Sequence, residues 1–127
     1  MDGIIREKEL LQTSIRHQPE PIDKCILHTL FHLGIKAKSK GFNYLVDGIK
    51  IAIEDPQAAS LITKCLYPDI SKKYHTTPGA VERSIRTAIL HMPVTKFRYN
   101  VFAGDMGHYS NKEFILHIAK YICYKNI

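Results

Sequence analysis

The sequence predicts an all-α fold, a compact multi-helix domain containing a helix-turn-helix. Three observations carry that prediction. Apolar residues recur at helical spacing along nearly the whole chain, no stretch shows sustained strand alternation bounded by hairpin turns, and the centre carries two helices separated by a short turn with its own start and stop signals. With 127 residues, 45% of them hydrophobic, the chain can bury one core and is too short for two ordinary domains.

The elements follow in order. Ile4, Ile5, Leu10, Leu11 and Ile15 give a short amphipathic helix, so residues 1–20 are expected to form a helical extension that ends before Gln18-Pro19-Glu20-Pro21. The main domain is then 21–127. Pro21 suits a first helical position, and Ile22, Cys25, Ile26, Leu30 and Leu33 keep helical register until Gly34 offers a left-handed stop. A basic loop, Lys36 to Lys40, leads to a third helix through Phe42, Leu45, Val46, Ile49, Ile51 and Ala52. Asp55-Pro56 closes that helix and opens another, carrying Ala58, Leu61 and Ile62.

Pro68 is expected to open the next helix, with Asp69 at its positive end and Lys72 and Lys73 at its negative end. His75-Thr76-Thr77 makes a short turn. Thr77 is a good N-cap, because its hydroxyl can accept a free backbone N–H, and Pro78 fits the first turn of a helix running to about His91. Lys96 to Phe102 could form one short helix before Gly104, and Ser110 or Asn111 caps a last helix carrying Phe114, Ile115, Ile118, Ala119 and Ile122.

Composition narrows the function. No run approaches the ~20 apolar residues a spanning helix needs, and Met1 to Lys8 leads into no apolar signal region, so a cytoplasmic protein without membrane attachment is expected. Cys25, Cys65 and Cys123 are odd in number, far apart and set in apolar runs, which reads as buried thiols. The net charge of +6 is unevenly divided: Met1 to Thr63 holds eight basic and eight acidic residues, whereas Lys64 to Arg98 holds seven basic against Asp69 and Glu82. That concentration favours a polyanionic partner.

Enzyme chemistry finds no foothold: there is no nucleophile elbow, phosphate loop or HExxH pattern, and no catalytic residue or cofactor is expected. His28 and His32 share a helical face with Cys25 at spacing that can bind a metal, yet a structural zinc site needs more ligands, so none is assigned. Tyr44, Tyr67 and Tyr74 could be stacking platforms for single strands, but at helical spacing such residues more often belong to the core.

A helix-turn-helix works because its first helix fixes the second across a short turn, leaving one face of the second free to enter the major groove. Here Val81, Ile85, Ala88 and Ile89 lie on one side of the second helix, and Gly79, Glu82, Arg83 and Arg86 lie on the other. Arginine can bond a guanine edge or a phosphate, and glutamate can accept from the amino group of cytosine. Lys72, Lys73, Thr77, Ala80 and Thr87 complete the candidate DNA surface. An ordinary amphipathic helix with a glutamate and two arginines in solvent would show the same spacing.

Thr63 to Ile89 resembles the helix-turn-helix of the stage-zero sporulation response regulators, in the residues Thr63-Lys64, Tyr67-Pro68, Ile70, Lys72-Lys73, Thr76-Thr77, Val81-Glu82-Arg83, Ile85-Arg86 and Ala88-Ile89. Upstream, His32-Leu33-Gly34 and Lys40 to Leu45 look like the family's first two effector helices, and Ser110 to Ile122 looks like its last, so the likeness spans roughly Ile22 to Ile122. The resemblance implies a helical effector domain that binds short promoter boxes in double-stranded DNA, often as head-to-tail pairs, and activates or represses transcription of sporulation genes. It implies a base-reading role for Glu82, phosphate or base contacts for Arg83 and Arg86, and RNA polymerase as a further partner.

Three departures qualify that expectation. Gly79-Ala80 stands where the family has Ser-Arg, so a base-reading arginine is missing; the Leu90 to Tyr109 stretch is several residues shorter; and the phosphoacceptor receiver is not in this sequence. A bidentate base contact contributes ~1–3 kcal/mol of discrimination, so relaxed sequence preference is expected, with non-specific affinity largely kept. The alternative is an effector-like interaction module that modulates the sporulation regulator or RNA polymerase without reading DNA.

Overall fold

The computed structural model describes residues 21–104 and 107–125, and the expected extension over 1–20 lies outside them. The described residues form seven α-helices: α1 (Ile22–His32), α2 (Lys40–Glu54), α3 (Pro56–Ser60), α4 (Tyr67–Lys73), α5 (Pro78–Leu90), α6 (Lys96–Val101) and α7 (Asn111–Lys125). A single π-helical turn, Ile62–Leu66, leads into α4. No strand occurs among the described residues.

α2 is the central element, packing on α1, α3, α5 and α7, while α4 packs on α5. The core draws on every long helix. Ile26, Leu30, Leu45, Ile49, Leu66, Ile85, Phe114 and Ile118 are wholly excluded from solvent, and burying each such side chain contributes roughly 1.5–3 kcal/mol. Helical spacing identified all of these positions but Leu66, which lies in the π-helical turn, because each helix buries one stripe.

The helix ends are written in local chemistry. Ser39, Asp55, Thr77 and Thr95 each accept an N–H of the following helix through a side-chain oxygen. Before α7, Ser110 and Glu113 cap reciprocally: the Ser110 hydroxyl accepts the Glu113 N–H at 3.1 Å, and the Glu113 carboxylate accepts the Ser110 N–H at 3.1 Å. At the other end of α1, Gly34 has φ 87° and the N–H groups of Gly34 and Ile35 bond back to Phe31 and Leu30, with Ile35 buried behind them. That is a Schellman stop at the glycine the sequence singles out.

Three expectations change. Leu61 and Ile62 do not continue α3: the short helix stops at Ser60, and Leu61 leaves the helical region and stands half exposed. The following helical segment also starts before Pro68. Pro68 has no N–H to offer, and just ahead of it the Tyr67 N–H reaches back five residues to the Ile62 carbonyl, giving the widened turn. The cysteines are also not uniformly buried. Cys25 is buried, Cys65 is half-buried and Cys123 is exposed, because Cys123 follows Ile122 one residue off the apolar stripe of α7.

Candidate nucleic-acid interface

The turn between α4 and α5 is a second Schellman stop, with a histidine in place of glycine. His75 adopts φ 53°, its N–H bonds to the Lys72 carbonyl, and the Thr76 N–H bonds to the Ser71 carbonyl at 2.9 Å. Thr77 then accepts the Ala80 N–H at 3.1 Å and starts α5. Its hydroxyl proton stays available to an outside acceptor, since the cap uses only a lone pair.

α5 is fixed on three sides. Val81, Ile85 and Ile89 enter the core. On one flank α2 comes so close that a Cβ added at Gly41 would stand 2.4 Å from the Ser84 carbonyl oxygen, so only glycine allows this crossing. On the other flank, the side-chain amide of Asn111 donates to the Glu82 carbonyl at 3.1 Å and to the Tyr67 hydroxyl at 3.0 Å. One buried amide therefore ties the first residue of α7 to both helices of the helix-turn-helix. Burial raises the Tyr67 phenol pKa, and the Asn111 bond partly offsets it.

With three sides held, the fourth faces solvent. Gly79, Arg83, Arg86, Thr87 and Leu90 are exposed there, with Arg83 and Thr87 opposite the buried stripe at about 100° per residue. Glu82 departs from the sequence reading: it sits on the α7 flank, its side chain is 33% exposed, and its carboxylate pairs with Arg86 one turn on. Ala80 is half-buried. Nothing lies within 4 Å of a Cβ built on Gly79, so the α5 start is open to close approach.

On α4, Lys72 is exposed. Lys73 instead bonds Asp47 of α2 at 2.9 Å and lies over the Tyr74 ring at 5.4 Å. Tyr74 in turn has its phenol pKa pushed up to about 12, first by burial and then by its hydrogen bond to Asp47. The structure thus brings Lys72, Thr77, Gly79, Arg83, Arg86 and Thr87 to an open surface, with Arg86 paired to the half-buried Glu82, while Lys73 is exposed but held by Asp47 of α2.

Sequence reasoning missed Asn111 and Gly41 as positioning residues. For Asn111 the available signal was Ser110-Asn111 ahead of Glu113, which identifies a helix start and not a clamp on another helix. Of the remaining candidates, Tyr44 and Tyr67 are buried, which makes them core and not stacking platforms. His32 sits in an aromatic chain with Phe97 at 5.8 Å, and Phe97 meets Tyr121 at 6.5 Å. Among the described residues no three His, Cys, Asp or Glu side chains are grouped to hold a metal, and no helix is long and apolar enough to cross a membrane.

A helical domain whose second helix-turn-helix element is anchored on three sides and presents arginines outward is a helix-turn-helix DNA-binding domain in design. The family profile described as sporulation initiation factor Spo0A C terminal matches residues 26–122. The chain belongs to that family, one of DNA-binding effector domains of transcription regulators in sporulation and not of enzymes.

Proposed function

We propose that this protein regulates transcription by placing α5 in the major groove of promoter DNA, with Arg83 at the centre of the contact. The observation that carries the reading is the orientation of α5: three flanks are packed or clamped and the remaining one carries Gly79, Arg83, Arg86 and Thr87. Lys72 and Thr77 supply phosphate contacts at the α4–α5 turn, and Lys73 does so by exchanging Asp47 for phosphate. Glu82 reaches a base only when it releases Arg86, so base readout is a competition within one helical turn.

Ala80 offers no hydrogen bond, so discrimination rests on the two arginines, Glu82 and Thr87, and sequence preference is relaxed. Tandem boxes would seat two copies head to tail, and RNA polymerase is the partner through which a bound copy acts.

Fluorescence anisotropy of a duplex carrying two family-type boxes, beside a scrambled duplex at two salt concentrations, tests this reading. Salt-sensitive binding with a modest preference for the boxes is expected. No binding to either duplex at low salt would overturn it and leave the interaction-module reading.

A further inference from the structure

The charge division along the sequence places the basic excess after Lys64 and gives the N-terminal half no net charge. The fold adds a local feature that this sum conceals. No acidic residue lies between Asp23 and Asp47, and Lys36, Lys38 and Lys40 fall in that gap at alternate positions. All three are exposed, and among the described residues none is held in an ion pair, in contrast to Lys73 and Arg86.

Their loop is built rigidly. Ile35 is buried behind the Gly34 stop, and a Cβ at Gly34 would run into the Pro93 ring at 2.5 Å. The Ser39 hydroxyl donates to the Lys36 carbonyl at 2.7 Å and accepts the Phe42 N–H at 3.1 Å. Gly41 then seats the start of α2 against the Ser84 carbonyl of α5. A shallow groove of about 210 Å³ results, with Lys36, Ser39 and Lys40 on one wall and Thr87 and His91 of α5 on the other.

We propose that the Lys36–Lys40 loop is a second DNA-backbone contact, gripping the phosphodiester strand that borders the major groove on the Thr87 side of α5. The proposal rests on α5 being the recognition helix. A helix lying in the major groove has a phosphate strand along each flank. The α4–α5 turn meets one strand, and this loop meets the other. Lysines fixed by a buried isoleucine and a capping serine lose less freedom on binding than lysines on a free tail. Binding is thereby weighted toward sequence-independent contacts, in keeping with a recognition helix that carries Gly79-Ala80.

The test is a Lys36→Gln/Lys38→Gln double variant, which touches neither a cap nor the core, beside a Lys24→Gln/Lys120→Gln control that removes equal charge from α1 and α7. Each is titrated against boxed and scrambled duplexes from about 50 to 200 mM salt. Each phosphate contact contributes about 0.9 to the slope of log affinity against log salt, so the loop variant should be shallower by about 2. Over that range the unaltered protein should lose about tenfold more affinity than the loop variant, with box preference unchanged. An unaltered slope in the loop variant, or an equal flattening in the control, would overturn the proposal while leaving α5 as the reader. Failure of the unaltered protein to bind either duplex would overturn the recognition-helix reading itself, and this proposal with it.

Discussion

The side-chain amide of Asn111 donates to the main-chain carbonyl of Glu82 at 3.1 Å, so the last helix holds the middle of α5 from behind. The amide's second hydrogen goes to the Tyr67 hydroxyl at 3.0 Å. One residue of α7 is thus bonded to both α4 and α5.

Replacing Asn111 with alanine leaves the buried Tyr67 hydroxyl short of a partner and opens space beneath α5. A loss of about 1–3 kcal/mol is expected in urea unfolding. Discrimination between boxed and scrambled duplexes should weaken as well, because a loosened α5 no longer presents Arg83 at one angle. Unfolding and discrimination both unchanged would remove Asn111 from the account.

Gly41→Ala tests the other flank. The added methyl would meet a backbone oxygen at 2.4 Å and the Ala88 Cβ at 2.8 Å, and neither is the movable end of a long side chain. α2 and α5 must separate, at a cost of about 1–3 kcal/mol by analogy with overpacked cores. Differential scanning calorimetry should show a lower Tm, and Gly79→Ala at the start of α5 should not, since its site is open.

The helical architecture was legible in the sequence because each element carries its own local signals: Gly34 at a left-handed stop, Thr77-Pro78 at a helix start, Ser110 ahead of another. The exposed face of α5 was legible for the same reason, as period alone separates Val81 and Ile85 from Arg83. What stayed hidden depends on partners distant in sequence. Glu82 reads as an outward residue until α7 covers its flank, Lys73 reads as free until Asp47 of α2 takes it, and Lys36 to Lys40 reads as a loop until α2 brings it beside Thr87. The π-helical turn was hidden too, because Pro68 marks a helix start equally well.

His75 holds the left-handed position of the helix-turn-helix, where a Cβ is unfavourable. His75→Gly should therefore stabilise the fold by roughly 0.5–1 kcal/mol, the strain removed exceeding the chain entropy added. Thermal melts of the two proteins check this, and a lower Tm for the glycine variant would show that the imidazole contributes more than the backbone strain removes.

Alkaline pH should destabilise the protein. Tyr74 has a folded-state pKa of about 12 against an ordinary value of 10.0, so its stabilising share is complete below pH 10 and is lost as pH rises toward 12. Tyr67 and Lys50 are raised as well and act in the same direction. Urea midpoints measured from pH 8 to 11 should fall, and Tyr74→Phe should fall less steeply. Parallel curves for the two would assign the loss to the other groups.

Ala80→Arg restores the side chain that the resemblance expects on the first turn of α5. Discrimination among single-substituted boxes should rise by about ten- to a hundredfold, with little change in affinity for the scrambled duplex. Equal gains on both duplexes would mean that the new guanidinium meets phosphate and that the helix start does not face bases.

The central claim, that the exposed face of α5 enters DNA, is tested most directly by following backbone amide resonances during titration with a boxed duplex. Shifts concentrated at Thr77, Gly79, Ala80, Arg83 and Thr87, with weaker ones at Lys36 to Lys40, are the expected result. Shifts centred on His28, His32 and Tyr121 across the molecule, or none at saturating DNA, would contradict it.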